Sequence, residues 1–344
     1  MTHTSGCGTF RPFNFRRSPI KKFAGFALLT GLVFAGVYVG KAPFFGSPFP
    51  SERHFQFTYR ATLPEIPPEA GKVRIWIPLA STRDGQKVLH REVSASVPYE
   101  IHQEPLFGNE LLYAETDGAA ARELKFEINY EATVDGENFS EAPDSSSPDK
   151  FLKSSRLMTV DETVKEKAQA ATAGKKSWWE KAKGIYDYVI AHMAYDKTTP
   201  GWGQGDTVRA CLLGKGNCTD FHSLFISMAH AAEIPSRFKI GFTVPSEGEG
   251  KIPGYHCWAE FFDERRGWIS VDASEAWKNP RMKRYYFGSF DTNKFMVSLG
   301  RDITLVPQQA GEPVNIFIYP YVEMDGQPLN EGIQMDFYFK SLRN

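Results

Sequence analysis

Cys218 has the residue type and the setting of a catalytic nucleophile. It follows the glycine-flanked turn GKGN and begins a stretch, CTDFHSLFISMAHAAEIP, whose apolar residues recur at helical spacing. In the first turn of a helix, unpaired backbone N–H groups and the macrodipole favour a thiolate and can donate to an oxyanion on an attacked carbonyl. Asp220 in the same turn opposes the thiolate, and buried structural cysteines are common at such positions. Position alone therefore leaves a reactive and a structural cysteine open.

A nucleophilic thiol also needs a general base and a group that orients this base. The segment HCWAEFFDERRGWISVD predicts two short strands joined by the turn DERRG. A hairpin centred on Glu264 would place His256 opposite Asp272, with Cβ atoms about 4.5–5.5 Å apart. At that distance the carboxylate can accept the Nδ1–H of the imidazole. The sequence therefore offers both a base and its orienting residue.

Alternation along the first strand of this hairpin separates its other side chains. Trp258 and Glu260 fall on the same face as His256, where they are candidates to line a substrate cleft. Cys257 falls on the opposite face, which argues against Cys257 as the nucleophile.

The sequence predicts no metal site and no cofactor. His222 and His230 lie on the polar side of the helix after Cys218, and no HExxH motif or paired-cysteine spacing accompanies them. The sequence also contains no P-loop and no Gly-x-Gly-x-x-Gly motif.

Composition bounds the class of protein. The 344 residues are 42% hydrophobic and 24% charged, which suits a globular chain of about two domains. The formal net charge of -1 gives no basic surface for phosphate backbones, so we expect no nucleic-acid partner.

The N-terminus predicts a membrane anchor. Residues 1–22 form a basic tail, and residues 23–40, FAGFALLTGLVFAGVYVG, carry no charge and are long enough to cross a bilayer. By the positive-inside rule, the tail is cytoplasmic and the catalytic domain lies outside the inner membrane, in the periplasm. Two alternatives stay open: secretion after signal cleavage, and export by a twin-arginine signal suggested by RRSPIKK.

The four cysteines divide by this topology into Cys7 inside and Cys211, Cys218 and Cys257 outside. In an oxidising compartment an odd number leaves at least one thiol free or paired between chains. A disulfide between Cys211 and Cys257 is one hypothesis, three buried thiols are a second, and a structural bond between Cys211 and Cys218 is a third.

The pattern along the chain predicts two domains. Period-2 alternation through residues 51–136 predicts an antiparallel, sandwich-like β-domain, and residues 137–158, rich in Ser, Pro, Asp and Glu, predict a linker. The catalytic domain is expected over residues 159–310 and opens with two helices, since TVDE and SWWE have the capping-box form. Residues 311–344 are expected to form strands that pack on the core.

The sequence GKGNCTDFHSLFISMAHAAEIPSRFKIGF, followed by GYHCWAEFFDERRGWISVDAS, resembles the transglutaminase-like superfamily in its bacterial form. The resemblance implies an α+β fold with a papain-like core, in which a cysteine-bearing helix packs on an antiparallel sheet carrying His and Asp. Cys218 then matches the nucleophile, His256 the general base and later acid, and Asp272 the residue that holds the imidazole. The second oxyanion donor in this family is usually an upstream aromatic or glutamine side chain. Trp202 and Gln204 are therefore candidates, beside the backbone N–H of Cys218.

The resemblance implies attack on an amide bond of a protein or peptide through a thioester on Cys218. Water attacking this thioester gives a peptidase or amidase, and an amine gives a cross-linking transglutaminase. We expect hydrolysis. Transfer stays open as the alternative, because site geometry sets the reaction class but not the acceptor. The alternative from another class is a non-catalytic, membrane-tethered module that binds protein or glycan.

Overall fold

The computed structural model describes residues 48–136, 148–329 and 331–342. The strands in these ranges are β1 (Glu52–Leu63), β2 (Lys72–Leu79), β3 (Gln86–Ala95), β4 (Tyr99–Gln103), β5 (Glu110–Asp117), β6 (Leu124–Asp135), β7 (Ala194–Tyr195), β8 (Lys215–Gly216), β9 (Ser236–Thr243), β10 (Glu249–Ile252), β11 (His256–Asp263), β12 (Gly267–Val271), β13 (Lys294–Leu299), β14 (Tyr321–Met324), β15 (Gln327–Pro328) and β16 (Gln334–Leu342). The helices are α1 (Glu162–Thr172), α2 (Trp178–His192), α3 (Thr207–Leu213), α4 (Cys218–Ala231) and α5 (Ala273–Lys278), with short 3-10 helices at Pro148–Leu152 and Pro280–Met282.

Most of these strands belong to three antiparallel sheets. Sheet 1 has the order β10–β16–β1–β6–β3, sheet 2 has the order β15–β14–β2–β5–β4, and the core sheet has the order β12–β11–β9–β13. The strands β7 and β8 form a short parallel pair. Helix α4 packs on β11 and β9, with α1, α2 and α3 around it. The predicted α+β class with antiparallel sheets is confirmed.

Alternation in β1 explains where sheet 1 lies. Every second residue of β1 is buried, from Arg53 to Leu63. Phe57 of this set packs on Phe242 of β9 and Phe295 of β13, with ring centroids 4.9 and 5.0 Å apart. Such ring pairs add about 0.5–1.5 kcal/mol each to the free energy gained by burial. The period-2 segment predicted as a β-domain therefore packs directly on the core sheet.

The C-terminal strands complete sheets 1 and 2. Phe339 of β16 lies opposite Phe57 of β1, and β16 also pairs with β10. Val322 of β14 lies opposite Ile75 of β2. Residues 311–344 were predicted to form strands that pack on the core, and Phe337 of β16 contacts Phe242 of the core sheet, with ring centroids 4.4 Å apart. The pairing with sheets 1 and 2 has a physical reason, because β1 and β2 would otherwise present unpaired N–H and C=O groups at a sheet edge.

The predicted linker at residues 137–158 is described only in part, because residues 137–147 lie outside the described ranges. Its later portion begins with the 3-10 helix Pro148–Leu152. Phe151 of this helix is buried edge-on against Trp268 of β12, with ring centroids 5.0 Å apart. The described part of the segment thus begins with a turn packed on the core sheet.

Of the two predicted capping boxes, the second is formed. The side chain of Ser177 accepts the backbone N–H of Glu180, and the carboxylate of Glu180 accepts the backbone N–H of Ser177. The first box is not formed, because α1 is capped by Asp161, which accepts the N–H of Val164 at 2.8 Å. Aspartate is as good an N-cap as threonine, and this start turns Val164 and Ala168 into the core.

The predicted membrane anchor at residues 23–40 lies outside the described residues. Among the residues that are described, no helix is long and apolar enough to cross a bilayer. On this finding we withdraw the prediction of an inner-membrane protein with a periplasmic catalytic domain.

Candidate active site

Cys218 is the first residue of α4, and a capping network fixes its position. Asn217 is the N-cap, and its side chain accepts the backbone N–H of Thr219 at 2.9 Å. Asp220 accepts the backbone N–H of Asn217 at 2.9 Å, which completes a capping box. Asp220 also accepts two N–H groups of the glycine-rich loop 201–205, at 2.7 and 3.1 Å. One buried carboxylate therefore ties this loop to the start of α4.

Gly216 lets the chain pass close to this carboxylate. A Cβ atom at Gly216 would lie 2.2 Å from Asp220 Oδ2, so no other residue fits without displacing Asp220. Burial raises the pKa of Asp220, and the three backbone N–H donors work in the opposite direction. The Asp220 carboxylate, which the sequence predicted to oppose a thiolate at Cys218, thus accepts hydrogen bonds from the backbone.

The β11–β12 hairpin carries His256 into the site, and its centre lies one residue later than predicted. Ala259 lies opposite Val271, so the hairpin is centred on Arg265. Its loop ends on Gly267, whose φ of 74° is the left-handed conformation that closes a three-residue hairpin loop. Each residue of β11 therefore lies opposite a position two residues later than predicted, and His256 and Asp272 are not a direct cross-strand pair.

Asp272 reaches His256 from a corner just beyond the strand. The strand β12 ends at Val271, and Asp272 is the N-cap of α5, where Oδ1 accepts the N–H of Glu275 at 3.0 Å. Its Oδ2 lies 2.7 Å from His256 Nε2. The prediction had used Nδ1 for this contact. The observed contact leaves Nδ1 of His256 for its hydrogen bond with the Cys218 thiol.

The histidine–aspartate pair favours its ionised state. Burial lowers the pKa of His256, which is 7% exposed, but the Asp272 carboxylate and the Cys218 thiol outweigh burial and raise this pKa from 6.5 to about 10. Burial also opposes the ionisation of Asp272, yet Lys294 and His256 hold the pKa of this carboxyl well below its usual value. At neutral pH the site therefore favours a protonated His256 beside an ionised Asp272.

The Cys218 thiol is favoured as a thiolate. A hydrogen bond with Cys257 is the strongest influence lowering the pKa of Cys218, burial opposes it, and His256 lowers the pKa further. Burial and the same contact raise the pKa of Cys257, so Cys257 remains a thiol that can donate S–H to the thiolate. Alternation had placed Cys257 on the face away from His256. The start of α4 lies beside the beginning of β11, so His256 and Cys257, the first two residues of this strand, both interact with Cys218.

His222 supports the cluster from one turn further along α4. It is fully buried, although the helical pattern placed it on a polar side, because α4 is surrounded by helices and the core sheet. Its Nε2 accepts the backbone N–H of Ala273 at 3.1 Å, so its proton lies on Nδ1, which is 3.7 Å from Cys257 Sγ. His222 therefore orients Cys257. The four-residue spacing from Cys218 was the available signal in the sequence.

Of the two predicted oxyanion donors, Trp202 lies in other surroundings, and the role of the Gln204 side chain stays a prediction. Trp202 is 38% exposed, with the Lys197 ammonium 5.9 Å above its ring. Gln204 uses its backbone carbonyl, which accepts from Arg301 at 2.8 Å and from Asn315 at 3.0 Å. Trp202 therefore faces solvent, and Gln204 anchors the glycine-rich loop.

Tyr195, in the two-residue strand β7, is an aromatic side chain beside the thiol that sequence reasoning missed. Burial and the charge of Cys218 raise the pKa of Tyr195, and a hydrogen bond from the backbone N–H of Cys218 works against them. The hydroxyl of Tyr195 thus stays protonated and lies at the N–H that was predicted to hold an oxyanion. A strand of two residues carries no periodicity that could have indicated this.

Trp258 and Glu260 do not line a cleft, so this prediction is wrong. They are only 1% and 0% exposed. The carboxylate of Glu260 accepts from Arg237 at 2.6 Å and from Lys239 at 2.7 Å. The reason is that β11 is an inner strand of a sheet covered on both faces, so a polar residue on it faces other side chains instead of water.

The hypothesis of a disulfide between Cys211 and Cys257 is also wrong. Cys211, Cys218 and Cys257 are all free and buried in the described part of the chain. Cys211 lies in α3, whereas Cys257 is the second residue of β11 and neighbours Cys218. Three buried thiols, the second of the hypotheses, match the structure.

These observations define an α+β protein in which a helix-borne cysteine, a histidine and an aspartate meet at one end of an antiparallel sheet. Residues 165–273 match the family model described as the transglutaminase-like superfamily. This match supports the resemblance that the motifs around Cys218 and His256 indicated. The matched segment runs from α1 to the start of α5 and includes Cys218, His256 and Asp272.

Similar proteins come from several bacteria. An uncharacterized protein of Haemophilus influenzae is 28% identical over 331 residues, which cover 83% of this chain and 89% of that protein. The structure of a candidate cysteine protease from Cytophaga hutchinsonii aligns with a TM-score of 0.55 at 16% identity, over 86% of this chain and 92% of that one. The periplasmic domain of TgpA from Pseudomonas aeruginosa aligns over 68% of this chain and 91% of its own, with 14% identity and a TM-score of 0.36. The likeness to the Cytophaga protein shows a shared fold.

Proposed function

We propose that this chain is a cysteine-dependent enzyme that hydrolyses amide bonds of proteins or peptides through a thioester on Cys218. One observation supports the proposal most strongly. His256, whose Nε2 lies 2.7 Å from the carboxylate of Asp272, lies beside Cys218 and lowers the pKa of its thiol. This arrangement holds a thiolate, an imidazolium and a carboxylate together in the protonation states that acyl transfer needs.

In the first half of the reaction, the Cys218 thiolate attacks the carbonyl carbon of the amide. We assign two donors to the developing oxyanion, the backbone N–H of Cys218 and the hydroxyl of Tyr195, which exchange their mutual hydrogen bond for the oxyanion when substrate binds. His256 gives its Nδ1 proton to the departing amine as the C–N bond breaks, which leaves a thioester and a neutral imidazole. Asp272 keeps the ring oriented with Nδ1 toward the sulfur, because Nε2 is bound to its carboxylate.

In the second half, neutral His256 accepts a proton from water as the water attacks the thioester, and the carboxylic acid product leaves with Cys218 restored. The enclosure of the site favours water as the acceptor. Cys218 is only 2% exposed, so surrounding side chains must move to admit a peptide. A water molecule enters such a space more easily than a lysine side chain of a second protein.

We extend the proposal to the organisation of the chain. Residues 159–310 act as the catalytic domain, and the strands of residues 51–136 support it through the aromatic contacts of Phe57 with the core sheet.

The product of one assay separates the candidate functions. The full-length protein is incubated with a glutamine-containing peptide, with and without a primary amine, and the products are identified by mass. Hydrolysis gives the same carboxylate product in both reactions, and transfer gives the amine adduct when the amine is present. Loss of both products in Cys218→Ala, with full activity in Cys211→Ala, is expected. Cys211 is the matched control because it is also a free, buried thiol. No turnover and no adduct would favour the non-catalytic module.

A further inference from the structure

A second cation shares the Asp272 carboxylate with His256. Lys294, the first residue of β13, places its Nζ 2.8 Å from Asp272 Oδ2, the same oxygen that lies 2.7 Å from His256 Nε2. The side chains of Lys294 and Asp272 are each 1% exposed. Removing an ammonium group from water costs several kcal/mol, so a lysine at this depth needs a compensating partner. Asp272 is that partner.

The contact between Lys294 and Asp272 is ionic. Within the described ranges, Nζ of Lys294 makes no directional hydrogen bond despite its short distance to Oδ2. The ring centroids of Trp258 and Tyr286 lie 5.2 and 5.9 Å from Nζ, and such aromatic faces attract a cation. Lys294 therefore contributes a positive charge, held by two rings, and does not compete with His256 for a hydrogen-bonding direction.

We propose that Lys294 is a positioning residue whose charge offsets that of Asp272, so that the buried Cys218–His256 ion pair forms without a net charge. The imidazolium and the ammonium are positive, and the thiolate and the carboxylate are negative, so these four groups sum to zero. His222 Nε2 also lies 3.5 Å from Asp272 Oδ1, but this nitrogen accepts the N–H of Ala273, so His222 adds no charge to the sum. Without Lys294 the same cluster would hold one net negative charge in an interior where charge is poorly solvated. This inference rests on the proposed function, because it concerns the same site.

The other ionisable groups around Lys294 do not cancel its charge. Burial raises the pKa of Asp291, Lys294 works against this, and Asp291 also lies near Arg53 of β1. Burial lowers the pKa of Arg53, and the Asp291 carboxylate raises it. Burial also raises the pKa of Tyr286, which keeps its hydroxyl neutral. Asp291 thus has a second cation beside it, and Asp272 is the carboxylate in contact with Lys294.

Loss of the Lys294 charge and structural damage at this position change the pKa of His256 in opposite directions. Removing a nearby positive charge destabilises anions and stabilises cations, so it raises the pKa of both Cys218 and His256. Loss of the His256–Asp272 contact through misplacement would instead lower the pKa of His256. The two limbs of a pH profile therefore move together to higher pH only if Lys294 acts through its charge.

The test compares Lys294→Met with Lys294→Arg in the full-length protein. The fraction of Cys218 present as thiolate is followed by its ultraviolet absorbance across pH, as the difference between each variant and the same variant carrying Cys218→Ala. This readout requires no substrate. Lys239→Met is the matched control, since Lys239 is a lysine of equal burial whose partners are Asp84 and Glu260.

We expect Lys294→Met to lower the thiolate fraction about tenfold on the acidic side of the wild-type midpoint, and to move both limbs of the activity profile to higher pH. Lys294→Arg and Lys239→Met should keep the wild-type midpoint. The same midpoint in Lys294→Met, or an equal shift in Lys294→Arg, would overturn the role of Lys294 and leave the proposed function intact. A wild-type Cys218 that ionises only in the ordinary range of a thiol would contradict both.

Discussion

Replacing Asp272 by asparagine removes one charge from the site and keeps the shape of the corner that holds it. Asparagine is as good an N-cap as aspartate, so α5 can still begin after this position. His256 loses the carboxylate whose charge helps to raise its pKa to about 10, so this pKa should fall towards 6.5. At neutral pH the imidazole is then often neutral and free to turn. We expect the rate of thioester formation on Cys218 to fall about 10⁴-fold, as when the orienting aspartate of a similar trio is replaced.

Asp272→Asn should also make the protein less stable and change how stability depends on pH. The folded-state pKa of His256 lies above its ordinary value, so its ion pair stabilises the protein fully below pH 6.5 and is lost as the pH rises towards about 10. This interval corresponds to at most about 4–5 kcal/mol. Breaking a buried ion pair by removing one partner typically costs about 3–5 kcal/mol, which is consistent.

Two measurements check this prediction. The rate of acylation of Cys218 by an activated ester is recorded across pH, and the free energy of unfolding is measured in urea at several pH values. In Asp272→Asn the alkaline limb of the rate should lie at lower pH, and the loss of stability that we expect in the wild type between pH 6.5 and about 10 should nearly disappear. A rate within about tenfold of the wild type, with an unchanged alkaline limb, would show that Asp272 does not act through its charge.

Two further substitutions test how the site is supported. Gly216→Ala places a Cβ 2.2 Å from Asp220 Oδ2, so it should destabilise the protein by about 1–3 kcal/mol and slow thioester formation by moving the start of α4. Thermal unfolding and acylation rates measure these two effects. The control Gly254→Ala, whose added Cβ meets no atom within 4 Å, should change neither. Glu260→Gln leaves two buried cations of β9 without their shared carboxylate and should cost about 3–5 kcal/mol, while the acylation rate of the folded fraction stays near that of the wild type. A slower acylation rate without a loss of stability would instead indicate that Glu260 acts in the active site.

The parts of the site that sequence could predict depend on local chemistry. Cys218 lies at the start of α4 because Asn217 and Asp220 form a cap and the apolar residues after them follow a helical period. The even separation of His256 and Asp272 predicted that they would meet, although Asp272 does so from the N-cap of α5, just beyond β12. The two-residue error in their pairing came from the turn, because a left-handed Gly267 cannot be predicted from the pattern.

The parts that sequence missed depend on contacts with distant segments. Lys294 and Glu260 are polar residues in strands, which a period-2 pattern assigns to a solvent-facing side. They are buried because the core sheet is covered on both faces, by elements far away in sequence. The pairing of β16 with β1 is likewise absent from local patterns. His222 and Cys257 illustrate the same limit, since only the packing of α4 on β11 brings them together.

If Cys218 forms the thioester, the acyl group can be located on this residue. The full-length protein is mixed with a peptide substrate or an activated ester of it, quenched in acid and digested, and the masses of the fragments are measured. We expect an acyl group on the fragment containing Cys218, which hydroxylamine removes and Cys218→Ala abolishes. An acyl group on Cys211 or Cys257, or turnover in Cys218→Ala, would contradict this expectation.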